Sequence, residues 1–186
     1  MKKLMIAAAI VCAAALSQAA SVQWTAANIA TVATQGTDNP ELLGGAKYFC
    51  FLSQDTAGVW EKTISVDDAV SLVKAKNWSE LEKYALTSKT TTAAGGVSSD
   101  KVAGWAKGND RPYGFVIILD TGSTDTAANY MVTSTAQASA FSQDSTTAKI
   151  ALGSQAANTW QSIPEPTSGL LLLLGVAGLA LRRRRA

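Results

Sequence analysis

The sequence contains no histidine, and it has only two cysteines. Without histidine the chain cannot form a Ser-His-Asp or Cys-His catalytic centre, and it offers no imidazole ligand for zinc. Cys12 lies in the apolar N-terminal segment, so the remaining chain has Cys50 alone and cannot form an internal disulfide. Because Cys50 lies among the aromatic residues of KYFCFLS, we expect a small buried core residue rather than a reactive thiol. Any chemistry would use carboxylates, Lys, Tyr, Ser, Thr or this one cysteine.

Charged residues are also scarce, at 16% of the sequence, and the basic excess lies at the two ends. Between residues 20 and 163 there are ten Lys and Arg residues and thirteen Asp and Glu residues, so this segment has a net charge of −3. The full chain, by contrast, has a net charge of +2. A nucleic-acid-binding domain carries its basic patch on the working domain. The composition therefore argues against a nucleic-acid partner.

The first 19 residues, MKKLMIAAAIVCAAALSQA, have the three-part pattern of a secretory signal peptide. Two lysines precede 13 uncharged apolar residues, and small residues then occupy the −3 and −1 positions of a cleavage site before Ala20. The apolar run is short for a membrane anchor, which needs about 20 residues. We predict that residues 1–19 are a signal peptide that is removed on export.

The last 23 residues read PEPTSGLLLLLGVAGLALRRRRA. Residues 169–181 are apolar or glycine, and as a helix they would span about 20 Å, short of a hydrocarbon core of about 30 Å. Arginines directly after an apolar run favour a cytoplasmic C-terminus, and their side chains can reach toward the headgroups. Together with the signal peptide, this predicts an exported body held at the inner membrane, at least transiently, by a transmembrane helix over residues 169–181.

A short triplet, the apolar segment and four arginines follow one another at the C-terminus, in an order that resembles the PEP-CTERM sorting signal. The residues concerned are Pro164, Glu165, Pro166, Arg182, Arg183, Arg184 and Arg185. The resemblance implies that an exosortase-type membrane enzyme cleaves the chain near the triplet in a Gram-negative-type bacterium. It also implies delivery to the cell surface or an extracellular matrix. Such signals are attached to many unrelated domains, so the resemblance covers residues 164–186 and says nothing about residues 20–163.

Residues 20–163 are predicted to form one α+β domain, mainly antiparallel sheet and sandwich-like, with a two-helix insert; hydrophobic helices flank it at both ends of the chain. Aromatic and β-branched residues favour strands over residues 46–54, 113–120 and 129–135. The second of these is apolar on both faces, so we expect the central strand there, paired antiparallel with the third. Weaker strand candidates are residues 22–24, 59–64, 102–106 and 148–152.

The helical insert is predicted from its start signals. Ser65 precedes a helical pattern that has Asp67 and Asp68 in its first turn, where carboxylates favour the helix dipole. The S-x-x-E pattern from Ser79 to Glu82 predicts a capping box at the start of a second helix. The Thr-, Ser- and Gly-rich stretch over residues 87–100 is predicted to be a flexible loop.

The tetrapeptide Asp120-Thr121-Gly122-Ser123 after the apolar strand is similar to the catalytic motif of aspartic proteases, in which two aspartates share a proton. On that interpretation Asp120 would be the catalytic carboxylate of a dimeric secreted hydrolase. The same residues are ordinary turn formers, the motif occurs once, and only 43 residues separate Asp120 from the triplet. We therefore predict a turn, with Asp120 accepting bonds from the Gly122 or Ser123 N–H, in a non-enzymatic body without a metal or cofactor.

All five tryptophans lie between residues 20 and 163. They could form a carbohydrate-binding platform on one sheet face, but buried anchors of a small core are the favoured interpretation. A carbohydrate-binding surface module, with an extracellular polysaccharide as its partner, is thus a second alternative beside the hydrolase.

Overall fold

The computed structural model describes residues 20–26, 31–32, 41–42, 44–56, 62–105, 111–139, 147–152 and 160–165. The predicted hydrophobic helices at the two termini lie outside these residues, as do Pro166 and the four arginines. In the described ranges no helix is long and apolar enough to cross a membrane. The transmembrane helix over residues 169–181 stays a prediction.

The described residues form thirteen strands and two helices. The strands are β1 (Ala20–Ala26), β2 (Thr31–Val32), β3 (Glu41–Leu42), β4 (Lys47–Ser53), β5 (Thr63–Ile64), β6 (Thr87–Thr90), β7 (Val97–Ser98), β8 (Val102–Trp105), β9 (Tyr113–Leu119), β10 (Asn129–Val132), β11 (Ala136–Gln137), β12 (Thr147–Ala151) and β13 (Gln161–Ser162). The helices α1 (Val66–Lys74) and α2 (Trp78–Tyr84) lie between β5 and β6. Each predicted strand segment overlaps one of these strands, and the predicted α+β class is confirmed.

The larger sheet has seven strands, and β9 lies in its middle. The order is β13-β10-β9-β4-β5, with β11 also pairing with β9 and β6 with β4. Strand β9 pairs antiparallel with β4 and with β10. It is buried from Gly114 to Leu119. The predicted central strand and its antiparallel pairing with the following strand are both confirmed.

The smaller sheet is organised around β1. Strand β12 pairs with β1 in parallel, whereas β7 and β8 pair with β1 antiparallel. One other described pair, β4 with β5, is also parallel. Strands β2 and β3 form a separate antiparallel pair. Antiparallel pairing therefore predominates in the described fold, as the sequence predicted.

Alternate residues of β9 belong to two different hydrophobic clusters. Ile118 shares one cluster with Trp24 of the smaller sheet. Its neighbour Ile117 shares the other with Val73 of α1 and Leu81 of α2. Because successive side chains of a strand point to opposite faces, the larger sheet lies between the smaller sheet and the helices. The two-sheet sandwich is covered on one side by the helical insert.

The two helices differ in how well their starts were predicted. Ser65 caps α1 as expected, with its Oγ accepting the Asp68 N–H at 3.0 Å. Helix α2 begins earlier than predicted, because its N-cap is Asn77, whose Oδ1 accepts the Glu80 N–H at 3.4 Å. The prediction of a capping box from Ser79 to Glu82 is therefore wrong. Asparagine caps a helix as well as serine does, so the upstream Asn77 takes the position and Ser79 falls in the first turn.

The predicted flexible loop over residues 87–100 is also wrong, because the segment contains two strands that pair with the sheets. Strand β6 pairs with β4, and β7 pairs with β1. Between them the chain turns at Gly95, which has a φ of +69°. Thr92 closes the turn, since its Oγ1 accepts the Gly96 N–H at 3.0 Å. Threonine is β-branched and suits strands, and that tendency prevailed over the turn composition.

Cys50 lies in β4 and is fully buried in the cluster shared with the smaller sheet. Burial raises the pKa of its thiol well above the ordinary value. The thiolate is therefore suppressed, and the prediction of a core cysteine is confirmed.

Candidate functional site

The folded body reaches the sorting triplet through an edge strand. Strand β13 pairs antiparallel with β10, with Ser162 opposite Asn129 and Gln161 opposite Tyr130. The next residue, Ile163, is buried at 4% exposure, and its N–H donates to the Ala128 carbonyl at 2.8 Å. From Gln161 to Ile163 the chain is thus hydrogen-bonded to the body, and Ile163 is packed in its core. The next residue, Pro164, has no N–H and cannot extend the ladder.

Asp120 follows β9 and stabilises the end of the β9–β10 hairpin. Its Oδ1 accepts the Ala128 N–H at 3.1 Å, and its Oδ2 accepts the Asn129 side-chain N–H at 2.8 Å. The predicted bonds from Gly122 and Ser123 are wrong, because the Ser123 N–H donates to the Thr121 hydroxyl instead, at 3.4 Å. The hairpin register places Asp120 opposite the start of β10, so its carboxylate bonds across the connection rather than within its own turn.

Asn129 extends this contact to the last strand. While its side-chain N–H donates to Asp120, its Oδ1 accepts the Ser162 hydroxyl at 3.4 Å. Beside it the Tyr130 hydroxyl donates to the Gln161 side-chain carbonyl. Burial raises the pKa of the Tyr130 hydroxyl above its ordinary value. Asp120, Asn129 and Ser162 therefore form a hydrogen-bonded row from the hairpin to the strand that precedes the triplet.

Sequence reasoning missed Asn129 and Ser162 as parts of this row. The two residues are 33 positions apart, and only the pairing register of β10 with β13 brings them together. A two-residue strand such as β13 is too short to show any periodicity.

Glu165, the acidic residue of the triplet, contacts the turn between the two helices. Its Oε1 lies 3.8 Å from the Lys76 Nζ, and the side chains are 63% and 25% exposed, respectively. Lys76 has a φ of +51° and is the one non-glycine residue in the described ranges with a positive φ. Pro164 and Glu165 are otherwise exposed on the body surface.

Comparison with known protein families gives a match to the PEP-CTERM protein-sorting motif over residues 162–185. The chain ends in a PEP-CTERM sorting motif. Curated proteins and solved structures gave no match to the chain. The family match covers the triplet, the apolar segment and the four arginines, so the predicted resemblance is confirmed for this part of the chain.

The PEP-CTERM motif begins within the fold rather than after it. Its first two residues, Ser162 and Ile163, lie in the last strand and in the core respectively. The triplet is thus joined to the body without a spacer. From Ile163 to the first residue of the apolar segment, Gly169, the chain has five intervening residues, which span at most about 20 Å when extended.

A second candidate site is an open groove of about 410 Å³ between β5 and the two helices, lined by polar and apolar side chains in similar measure. Gln54, Asp68 and Glu80 contribute polar groups to its lining, and Tyr84 contributes an aromatic ring. Asp68 accepts the Ser65 hydroxyl at 2.7 Å, and Glu80 pairs with Lys83 at the exposed rim. Planar polar side chains beside an aromatic ring can bind a ligand rich in hydroxyl groups.

Among the residues that the structure describes, no tryptophan lines that groove. Trp24 is fully buried, whereas Trp78 and Trp160 are half-buried and pack against the two hydrophobic clusters. In the part of the chain that the structure describes, no group of three or more Cys, Asp or Glu side chains could hold a metal ion.

Proposed function

We propose that the protein is an exosortase substrate, exported with its signal peptide, anchored transiently in the inner membrane and then cleaved near Pro164. The observation that carries this proposal is the PEP-CTERM match at residues 162–185, which begins in the last strand of the body. In this proposal the body is a non-enzymatic component of the cell surface or extracellular matrix. The structural bonding of the Asp120 carboxylate supports a non-enzymatic body.

The intact mass of the protein from its native host tests this proposal. We expect a mature species that begins near Ala20 and ends near Pro164, without the four terminal arginines. As a matched control, a variant with serine at positions 182–185 should be retained poorly in the membrane, because the positive charges that fix its orientation are gone. A mature species that still ends in Ala186 would contradict the processing step.

The groove favours a second candidate function, in which the body binds an extracellular polysaccharide. Carboxylates that accept sugar hydroxyls, and an aromatic ring for a sugar face, are the chemistry that such binding needs. Asp68, Glu80 and Tyr84 supply these groups in one groove. Polysaccharide binding is compatible with exosortase processing, because the body would bind the polysaccharide after its export and cleavage.

Glu80→Gln tests the groove, with Glu82→Gln as its matched control on the same helix. A hydrogen bond to a charged acceptor contributes about 1.5–3 kcal/mol, so Glu80→Gln should weaken binding to polysaccharide from the host's own matrix about tenfold. Glu82 is exposed and does not line the groove, so its variant should bind as the native protein does. Equal binding by all three proteins, measured by co-sedimentation, would remove the groove as the binding site.

A further inference from the structure

Lys76 has two unusual features, and the second of them connects it with the sorting triplet. The first is its backbone, which adopts the left-handed conformation after α1 with a φ of +51°. Glycine, or less often asparagine, is the usual residue there, because a Cβ crowds the backbone in this region. Lysine at this position is disfavoured by the backbone, which indicates that its side chain has a role of its own.

The second feature is the partner of that side chain. The Lys76 ammonium faces the carboxylate of Glu165 at 3.8 Å, and Glu165 is the acidic member of the PEP-CTERM triplet. Ile163, two residues before Glu165, is buried and hydrogen-bonded to Ala128. Only Pro164 separates this fixed point from Glu165, and its ring restricts the backbone further. The body therefore holds Pro164 and Glu165 from two sides, through the core at Ile163 and through charge at Lys76.

We propose that Lys76 slows the processing reaction, because its ammonium competes with the processing enzyme for the Glu165 carboxylate. This inference rests on the proposed function, because it assumes that an exosortase-type enzyme reads the triplet. The Glu165 carboxylate cannot pair with Lys76 and be bound by the enzyme at the same time. Cleavage then proceeds from the fraction of molecules in which the triplet has left Lys76, and the folded body sets the rate at which its own signal is cut.

The size of the effect follows from the exposure of the pair. Exposed ion pairs are weak, so the released fraction should rise about two- to fivefold when the pair is removed. The contact tunes the rate of cleavage and does not block it. Because the pair needs the α1–α2 turn in its folded place, an unfolded body lacks this control.

Four variants separate the charge of Lys76 from its backbone role, with pulse-chase measurement of precursor cleavage in the native host. Lys76→Ala and Lys76→Gly should both be cleaved about two- to fivefold faster than the native chain. Lys76→Gly should in addition be more stable to urea, because glycine relieves the left-handed strain. Lys76→Arg keeps the charge and should be cleaved at the native rate. Lys74→Ala, a change at an exposed lysine two residues earlier, should also leave the rate unchanged.

The contact can be checked without the enzyme, on the full precursor in detergent. A water-soluble carbodiimide activates carboxylates, so the Lys76 amine should form an amide with Glu165 with net loss of one water. We expect this cross-linked peptide in the native chain and its absence in Lys76→Ala. Native-rate cleavage of both Lys76→Ala and Lys76→Gly, or the lack of the cross-link, would overturn the inference. A native chain that is never cleaved would instead overturn the proposed function on which it rests.

Discussion

Gly114→Ala is expected to lower the free energy of unfolding by about 3 kcal/mol or more, since overpacking at a site that cannot relax is strongly destabilising. A Cβ at this position would lie 2.4 Å from the Trp24 Nε1, 2.8 Å from the Ile150 Cδ1 and 2.9 Å from the Phe51 carbonyl oxygen. Trp24 is fully buried, and the Phe51 carbonyl belongs to the neighbouring strand β4. Trp24 cannot move without separating the two sheets, and the Phe51 carbonyl cannot move without disturbing the pairing of β4 with β9. Urea unfolding of the two proteins measures the difference.

Gly45→Ala is the matched control for that change. Gly45 has a φ of +77°, but nothing lies within 4 Å of its added Cβ. Only the left-handed backbone opposes alanine there, which costs about 1 kcal/mol. A Gly114 variant no less stable than the Gly45 variant would show that the sheets can separate locally. It would then contradict the view that the bare backbone of Gly114 sets the distance between them.

The burial pattern of the chain explains which parts of the fold were predictable. Strand β9 is hydrophobic at every position from Phe115 to Leu119, so both its strand character and its central place followed from the sequence. The two helices carry their own N-cap signals, and Ser65 acts as predicted. These features are local, because each is encoded within about ten residues.

Pairing between distant segments was not predictable in the same way. Strand β1 pairs in parallel with β12, which lies more than 120 residues later in the chain. Alternating small residues can form either kind of ladder, and the sequence contains no turn that fixes the register. Strands β6 and β7 were not predictable either. Their Thr- and Ser-rich sequences are typical of a loop, and they form strands because they pair with β4 and β1, respectively.

In the candidate site, too, the local features were predictable and the contacts between distant segments were not. The PEP-CTERM motif is continuous in sequence, so its residues were predictable, and the family match confirms the motif over residues 162–185. The residues of the body that contact this motif, by contrast, are distant from it in sequence. Lys76 reaches Glu165 across 89 positions of sequence, and Asn129 reaches Ser162 across 33. No pattern within one segment could have indicated either contact.

Asp120→Ala is expected to lower the free energy of unfolding by about 1–2 kcal/mol, because two hydrogen bonds lose their acceptor at a half-buried site. The donors are the Ala128 N–H and the Asn129 side chain. The change should also loosen β13, since Asn129 then lacks the partner that orients its amide toward Ser162. Faster hydrogen exchange of the Ile163 N–H, relative to the centre of β9, would report that loosening.

Asp120→Asn should cost less, within about 1 kcal/mol, although its amide cannot accept at both positions. The asparagine oxygen can keep the Ala128 N–H, which leaves its NH₂ facing the Asn129 NH₂. Asn129 can resolve that conflict by rotating its amide, so that its oxygen accepts from position 120 and its NH₂ donates to Ser162. The rotation is tolerated because the serine hydroxyl can accept as well as donate. The row of hydrogen bonds is then reversed in direction but complete.

If Asp120→Asn destabilises as much as Asp120→Ala, the negative charge itself is required. If the native protein cleaves a peptide substrate and Asp120→Asn abolishes that cleavage, the catalytic interpretation must replace the structural one.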